Sequence, residues 1–412
     1  MPFSPKTIWR KLGFGIGIFL LVSLGAAQFF KKDLIRLQFV LTLFEPAGIV
    51  ENFRNMTRVL DYRTVRRRGP VYRIPYESKR LPASYPYQGQ DHDLAQWIER
   101  TATSGIIIIH DGKIAFERYY LGNHASTRWA SWSVGQSIVS ALVGFAMEEG
   151  LIRSLADPVN DYVPRLGASG YNGVTLREVL QMSSGIGFNE DDADWHSDIN
   201  RLARRVALGK AIDDVVVSLE NERPPGTFHR RVSMDAQVLA MVLREATGRS
   251  LSTYMEEKLW SRLGMESDAF WIVDGDGMEL VFCGFHAQLR DYARFGLFFL
   301  NQGKTFRGQQ ILSARWIQDA VTPGRPHLLP GADNPNSSSR PAFGYQWRLP
   351  EPPDGDYCAI GICGQFIYVH PRYRVVIAKT SADADDIPSG DERDVESLAV
   401  FRSIAADMAR HP

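Results

Sequence analysis

One stretch of the chain puts a hydroxyl where it can act as a nucleophile: Ser131-Trp132-Ser133-Val134-Gly135-Gln136-Ser137-Ile138-Val139-Ser140-Ala141-Leu142-Val143-Gly144. Val134, Ile138, Ala141, Leu142 and Phe145 recur at three- and four-residue spacing and the run closes at Gly150, so a buried helix is expected to begin just after Ser133. A serine there lies among backbone N–H groups without intrahelical partners, at the positive end of the helix dipole. Both favour negative charge developing nearby. The same residue can serve simply as a helix cap, the commoner role of serine at a helix start. Other reactive side chains lack a chemical spacing. Cys283, Cys358 and Cys363 make no disulfide framework, and Cys358 and Cys363, five apart in one expected strand, would face opposite ways. No Cys-x-x-Cys or His-Glu-x-x-His spacing occurs, so no metal or other cofactor is expected. The cluster Asp191, Asp192, Asp194, Trp195 and His196 reads as a solvated loop before it reads as a metal site.

With Arg128-Trp129-Ala130 before it and Met147-Glu148-Glu149-Gly150-Leu151-Ile152 after it, the Ser133 segment resembles the Ser-x-x-Lys element of β-lactamase-fold serine hydrolases. That superfamily includes class C β-lactamases, DD-peptidases, esterases and 6-aminohexanoate-dimer hydrolases. Further similarity runs from about Phe44-Glu45-Pro46 to the C-terminal helix. It is carried by Ile49-Val50-Glu51-Asn52-Phe53-Arg54-Asn55-Met56, Val179-Leu180-Gln181-Met182-Ser183-Ser184-Gly185, Pro224-Pro225-Gly226-Thr227-Phe228-His229 and Arg290-Asp291-Tyr292-Ala293-Arg294-Phe295-Gly296. The resemblance implies that Ser133 is acylated while a lysine one helical turn on helps remove its proton. Gln136 stands in that lysine's place. It also implies a Tyr-x-Asn/Ser element soon after the Pro-Pro-Gly-Thr turn, and register puts Arg231, Val232 and Ser233 there. A guanidinium, with a pKa above about 12, accepts no proton at neutral pH. The third element, a strand edging the cleft, has its counterpart in Gly361-Ile362-Cys363-Gly364-Gln365, which resembles a Gly-x-x-Gly-Gln form. Its glycines would let a substrate backbone lie close, and the N–H of Gln365 would join that of Ser133 in an oxyanion hole. By the same resemblance the 191–196 loop covers the acyl pocket, and Gly344-Tyr345-Gln346-Trp347 walls the cleft.

These features describe a hydrolase of esters or small amides working through an acyl-serine at Ser133, impaired because Gln136 and Arg231 replace the acid–base pair. The alternative is a membrane-tethered pseudoenzyme that keeps the cleft and binds an anionic ligand, such as a carboxylate, on Arg231. Lys113 is a candidate for a distant replacement base.

The elements that must position these residues are legible in outline. A chain of 412 residues, 44% hydrophobic, is ample for a large core. Its 47 basic residues balance 47 acidic ones, which gives no electrostatic case for nucleic acid. Gly105–His110 and Ile114–Tyr120 flank Asp111-Gly112-Lys113 and read as an antiparallel hairpin. Helical signals dominate from about 150 to 320 (Leu176–Met182, Ile212–Leu219, Asp235–Ala246, Leu251–Leu263, Gln288–Leu300, Ala314–Val321). Strand patterning returns at Phe366–Val369 and Val375–Ala378, and a last amphipathic helix covers about Val395–Ala409. The expected class is α+β: an antiparallel β-sheet flanked by helices, with a mostly helical lobe at about 150–320, β-lactamase/transpeptidase-like. Residues 12–30 form an uncharged run of about 28 Å as a helix, between Lys6, Arg10, Lys11 and Lys31, Lys32. An uncleaved membrane anchor and a cleaved signal peptide both fit; the length favours the anchor. Flanking charges do not orient it, and the resemblance implies an inner (cytoplasmic) membrane anchor with the body in the periplasm. The expected divisions are 1–32 anchor or signal, 33–92 N-terminal extension with an interfacial or packing helix near its start, and 93–412 hydrolase domain. Nothing in the sequence speaks to oligomeric state.

Overall fold

The computed structural model describes residues 31–191, 194–331 and 334–410. The expected hairpin is present as β1 (Thr103–His110) and β2 (Lys113–Tyr119). Asp111 and Gly112 both take left-handed φ (46° and 77°), the two-residue turn that matches strand twist and that Asp-Gly accommodates. These strands join β3 (Ala342–Phe343), β4 (Arg348–Leu349), β5 (Tyr357–Gly361), β6 (Gln365–His370) and β7 (Val375–Ser381). The sheet runs β2-β1-β7-β6-β5-β4-β3, antiparallel throughout. Ile107 pairs with Ala378 and Ile108 with Ile377. Alternation then sorts the run Ile106–Ile109 between two cores. Ile107, Ile109, Val376 and Ala378 join the main core, while Ile106, Ile108, Val375 and Ile377 pack with Trp97 and Phe401 on the other face. A sheet buried on both faces explains why those strands read as unbroken apolar runs.

The helices that matter to the site are α1 (Ile49–Val59), α2 (Val134–Glu148), α3 (Asp198–Ala207), α4 (Ser233–Thr247), α5 (Leu289–Leu300) and α6 (Asp386–Arg410). Helix α5 lies directly on the sheet: a Cβ at Gly296 would come within 2.5 Å of Val376 Cγ1. Helix α2 is buried from Val134 to Ala146, which accounts for its lack of a polar face.

The mostly helical stretch from 150 to 320 also carries two short strands. Ala269–Ile272 and Phe285–Gln288 form the middle of a second antiparallel sheet, with Tyr62–Val65 and Arg128–Ala130 at its edges. Strands of three or four residues are too short to show a period. Residues 33–92, the expected N-terminal extension, contribute to the same core. Phe53 and Met56 of α1 are in the main core, and Tyr62–Val65 pairs with Ala269–Ile272. Residues 31–41 are helical and expose Leu34, Ile35 and Leu41. Among the described residues no helix is long and apolar enough to cross a membrane, and the 12–30 run lies outside them.

Candidate active site

Ser133 is delivered by a strand, a tight turn and a helix. Ala130 pairs with His286, and Ser131 N–H donates to Phe285 O at 2.8 Å. Trp132 takes φ +49° to turn the chain into α2, and its ring packs against Phe44 and Phe53 at 4.9 and 5.0 Å between centroids. Ser133 takes the N-cap position of α2 but makes no capping bond; its hydroxyl donates to Phe282 O at 3.4 Å. The hydroxyl is therefore not used as a cap, which removes the simplest non-chemical reading of this serine. The end of β5 runs hard against this turn. A Cβ on Gly361 would sit 2.4 Å from Ser131 O and 3.1 Å from Ser133 N, so only glycine fits.

Gln136 and Arg231 are both brought to Ser133. With Ser137, Gln346 and others they line a cavity of about 10 Å³, room for one water molecule. Gln136 is 6% exposed, and its amide nitrogen finds no hydrogen-bond partner among the described residues. Gln346, buried in the same wall, donates to Val179 O and Leu180 O while its own oxygen is left without a partner. Two carboxamides thus line one water-sized space beside the serine, and neither can take up a proton at neutral pH.

Arg231 Nε donates to Glu190 Oε2 at 3.1 Å, and Glu190 Oε1 accepts from Ser233 N–H at 2.5 Å. Ser233 begins α4, so the carboxylate sits on unpaired helix-start amides and holds the guanidinium in place. Sequence reading passed over Glu190, because no local pattern links residues 41 apart. Two residues further into this helix, Asp235 is buried. Tyr171 donates to its Oδ1 at 2.8 Å, Oδ2 has no partner, and burial pushes its pKa up to about 7.

Ser133, Ser233, Glu190 and Arg231 also line a much larger cavity of about 730 Å³. Its walls come from residues 40–60, α3, the 280–283 loop and Ile362. Trp195 stands at its edge, 53% exposed, under the Arg204 guanidinium at 4.0 Å. The loop at 191–196 thus reaches the cleft through Trp195, while Asp194 receives the His196 N–H; Asp192 lies outside the described residues. Of the 24 lining residues four carry charge: Glu45, Glu190, Arg204 and Arg231. Cys283 is there too, with its thiol pushed up in pKa by burial. Among the described residues no cluster of His, Cys, Asp and Glu is arranged to hold a metal ion.

The third element is arranged differently from the sequence expectation. Cys363 and Gly364 form the turn between β5 and β6, at φ +61° and +78°, so Cys363 does not share a strand with Cys358. Gln365 faces Gly361 across the ladder and is buried; its carboxamide donates to Cys363 O and Ser381 O, each at 2.8 Å. Gly364 N–H donates to Asp386 Oδ2 at 3.2 Å. None of Cys363, Gly364 and Gln365 lines either cavity at Ser133, whereas Ile362 does. The Gln365 side chain braces the turn that carries Ile362. Of the Gly344–Trp347 segment only Gln346 meets the site; Trp347 is buried against Phe299 and Tyr357. Lys113 is paired with Glu77 on the exposed β1–β2 hairpin and is no part of the cleft. The buried Lys379 bonds to Ser381 and lies over the Trp97 ring on the sheet's other face, where desolvation pulls its pKa down to about 8.

A serine freed from capping at the head of a buried helix, against the end of an inner strand of an antiparallel sheet, defines an α+β serine-hydrolase scaffold. The chain belongs to the Beta-lactamase family, whose sequence profile matches residues 94–400. It is 30% identical over 329 residues to the 6-aminohexanoate-dimer hydrolase of Paenarthrobacter ureafaciens, covering 77% of this chain and 79% of that protein. A Bacillus anthracis protein provisionally assigned as a 6-aminohexanoate-dimer hydrolase has the same fold, with a TM-score of 0.77, 22% identity and coverage of 90% and 95%. The octameric penicillin-binding protein homologue from Pyrococcus abyssi aligns at a TM-score of 0.55 with 18% identity, covering 75% of each chain.

Proposed function

We propose that this protein is a hydrolase of esters or small amides that forms an acyl-serine at Ser133 and turns it over slowly. The observation that carries the reading is the meeting of an uncapped Ser133 hydroxyl with Gln136 and Arg231 in one small cavity. In the acylation step Ser133 Oγ bonds to the carbonyl carbon, the bond to the leaving alcohol or amine breaks, and the hydroxyl proton departs with it. Water then repeats the exchange and releases the acid. In this reading the N–H of Ser133, at the head of its helix, stabilises the oxyanion. Proton transfer is the weak link, since a positioned base contributes about 10²- to 10⁴-fold. The carboxylates in the larger cavity are Glu45 and Glu190, and the latter is already held by Arg231 and Ser233. A fluorophosphonate probe is expected to label wild type over hours and to leave Ser133→Ala unlabelled. Labelling within seconds would refute the impairment, and none overnight would refute the nucleophile.

The alternative of a tethered pseudoenzyme that binds an anion finds less support. Arg231 is engaged by Glu190, and the two acids at the larger cavity offset its two arginines. We also propose that residues 12–30 anchor the protein in the inner membrane with its body in the periplasm. The exposed Leu34, Ile35 and Leu41 on the helix that follows suit a membrane surface. The mature protein is then expected to keep its N-terminus and to stay in the membrane pellet after high-salt washing. A soluble body beginning near residue 28 would show a cleaved signal instead.

A further inference from the structure

The larger cavity says more about the ligand than the serine does. At about 730 Å³ it is within the range of small-molecule sites, roughly 300–1,000 Å³. Twenty of its 24 lining residues are uncharged, and the charged ones are two acids and two arginines. Leu43 and Met56 form one wall, Val206 of α3 another, and Leu280 and Phe282 a third, with Ile362 beside the serine. Ser133 bonds to the Phe282 carbonyl, so the hydroxyl stands at the junction of this apolar space with the polar group of Glu190, Arg231 and Ser233. A ligand that fills the space must be apolar over most of its length and carry one polar centre at one end. A compact polar ligand would leave the Leu43–Met56 wall wet, and an anion would meet a guanidinium already paired.

We propose that this cavity takes the unbranched acyl chain of a neutral medium- or long-chain ester, with the ester carbonyl at Ser133. The proposal names the substrate class for the serine-hydrolase reading and rests on it for the role of Ser133, but chain binding itself needs no catalysis. The wall furnished by residues 40–60 is contiguous with the helix that exposes Leu34, Ile35 and Leu41, so the apolar surface continues outward from the cavity.

The test is a titration of full-length Ser133→Ala, in a fixed concentration of detergent, with the methyl esters of C4, C6, C8 and C10 acids. Binding is read by calorimetry and referred to the free aqueous concentration of each ester, fixed by its measured partition into protein-free detergent. Burying one more methylene is expected to tighten binding about fourfold, so affinity should climb steeply from C4 to C10. Ala203→Phe, which fills the cavity from α3, should weaken C10 by about tenfold and end the climb at shorter chains. Affinities that differ by less than about tenfold across the series would overturn the proposal without any cavity-filling variant. Fluorophosphonate labelling of wild type in parallel separates the two ideas. A steep series with no Ser133 labelling keeps the acyl-chain site and removes the hydrolase reading. A flat series with Ser133 labelling does the reverse.

Discussion

Changing Gln136→Lys and Arg231→Tyr together is expected to raise p-nitrophenyl ester hydrolysis about 10²-fold over wild type. Both positions line the space beside Ser133, so the paired change restores a titratable amine and a phenol to one site. Either change alone should recover far less. Gln136→Lys by itself would place an ammonium in a buried wall beside the Arg231 guanidinium, and repulsion together with desolvation would disfavour it. Arg231→Tyr by itself supplies a phenol with no cation to lower its pKa, although Glu190 would still be held by Ser233 N–H. Groups that act as a unit are non-additive, and that is the signature to look for in kcat/KM for the four combinations. High wild-type turnover that survives Arg231→Ala would sink the idea.

The second large effect concerns stability. Asp235 is fully buried with Tyr171 as its hydrogen-bond partner and the Glu190 charge nearby, and burial holds its pKa near 7 against an ordinary 3.8. Between those values the folded chain keeps a proton that the unfolded chain has released. The stabilisation tied to that proton is complete below about pH 4 and is lost as pH rises to about 7. Asp235→Asn never ionises and can still accept from Tyr171. Its stability relative to wild type should therefore rise across that window, by roughly 4 kcal/mol in all. Urea unfolding of both proteins at pH 4.5 and pH 7.5 measures the change, and parallel profiles would refute a neutral buried Asp235.

Local physics made much of this molecule legible. The Asp-Gly turn required left-handed φ at two residues, and the hairpin formed there. Period-3.6 patterning placed α2, α4 and α5 to within a few residues, because each buries an apolar stripe or is buried all round. The short strands Ala269–Ile272 and Phe285–Gln288 escaped notice, since four residues carry no period and their outer partners, Tyr62–Val65 and Arg128–Ala130, lie more than 150 residues earlier in the chain.

The site divides in the same way. Ser133 at a helix head, Gln136 one turn on and Arg231 after the Pro-Pro-Gly-Thr turn are matters of spacing and residue type, and the sequence alone determined them. That Ser133 leaves its cap unused, that Arg231 is neutralised by Glu190, and that Ile362 lines the cavity at the serine were decided only in three dimensions. So was the apolar cavity, whose walls come from residues 40–60, 195–206, 280–283 and 362. Periodicity reports which face of an element is buried, because that depends on neighbours three or four residues away. Partner choice across a cleft depends on how distant elements pack, and no local pattern records it.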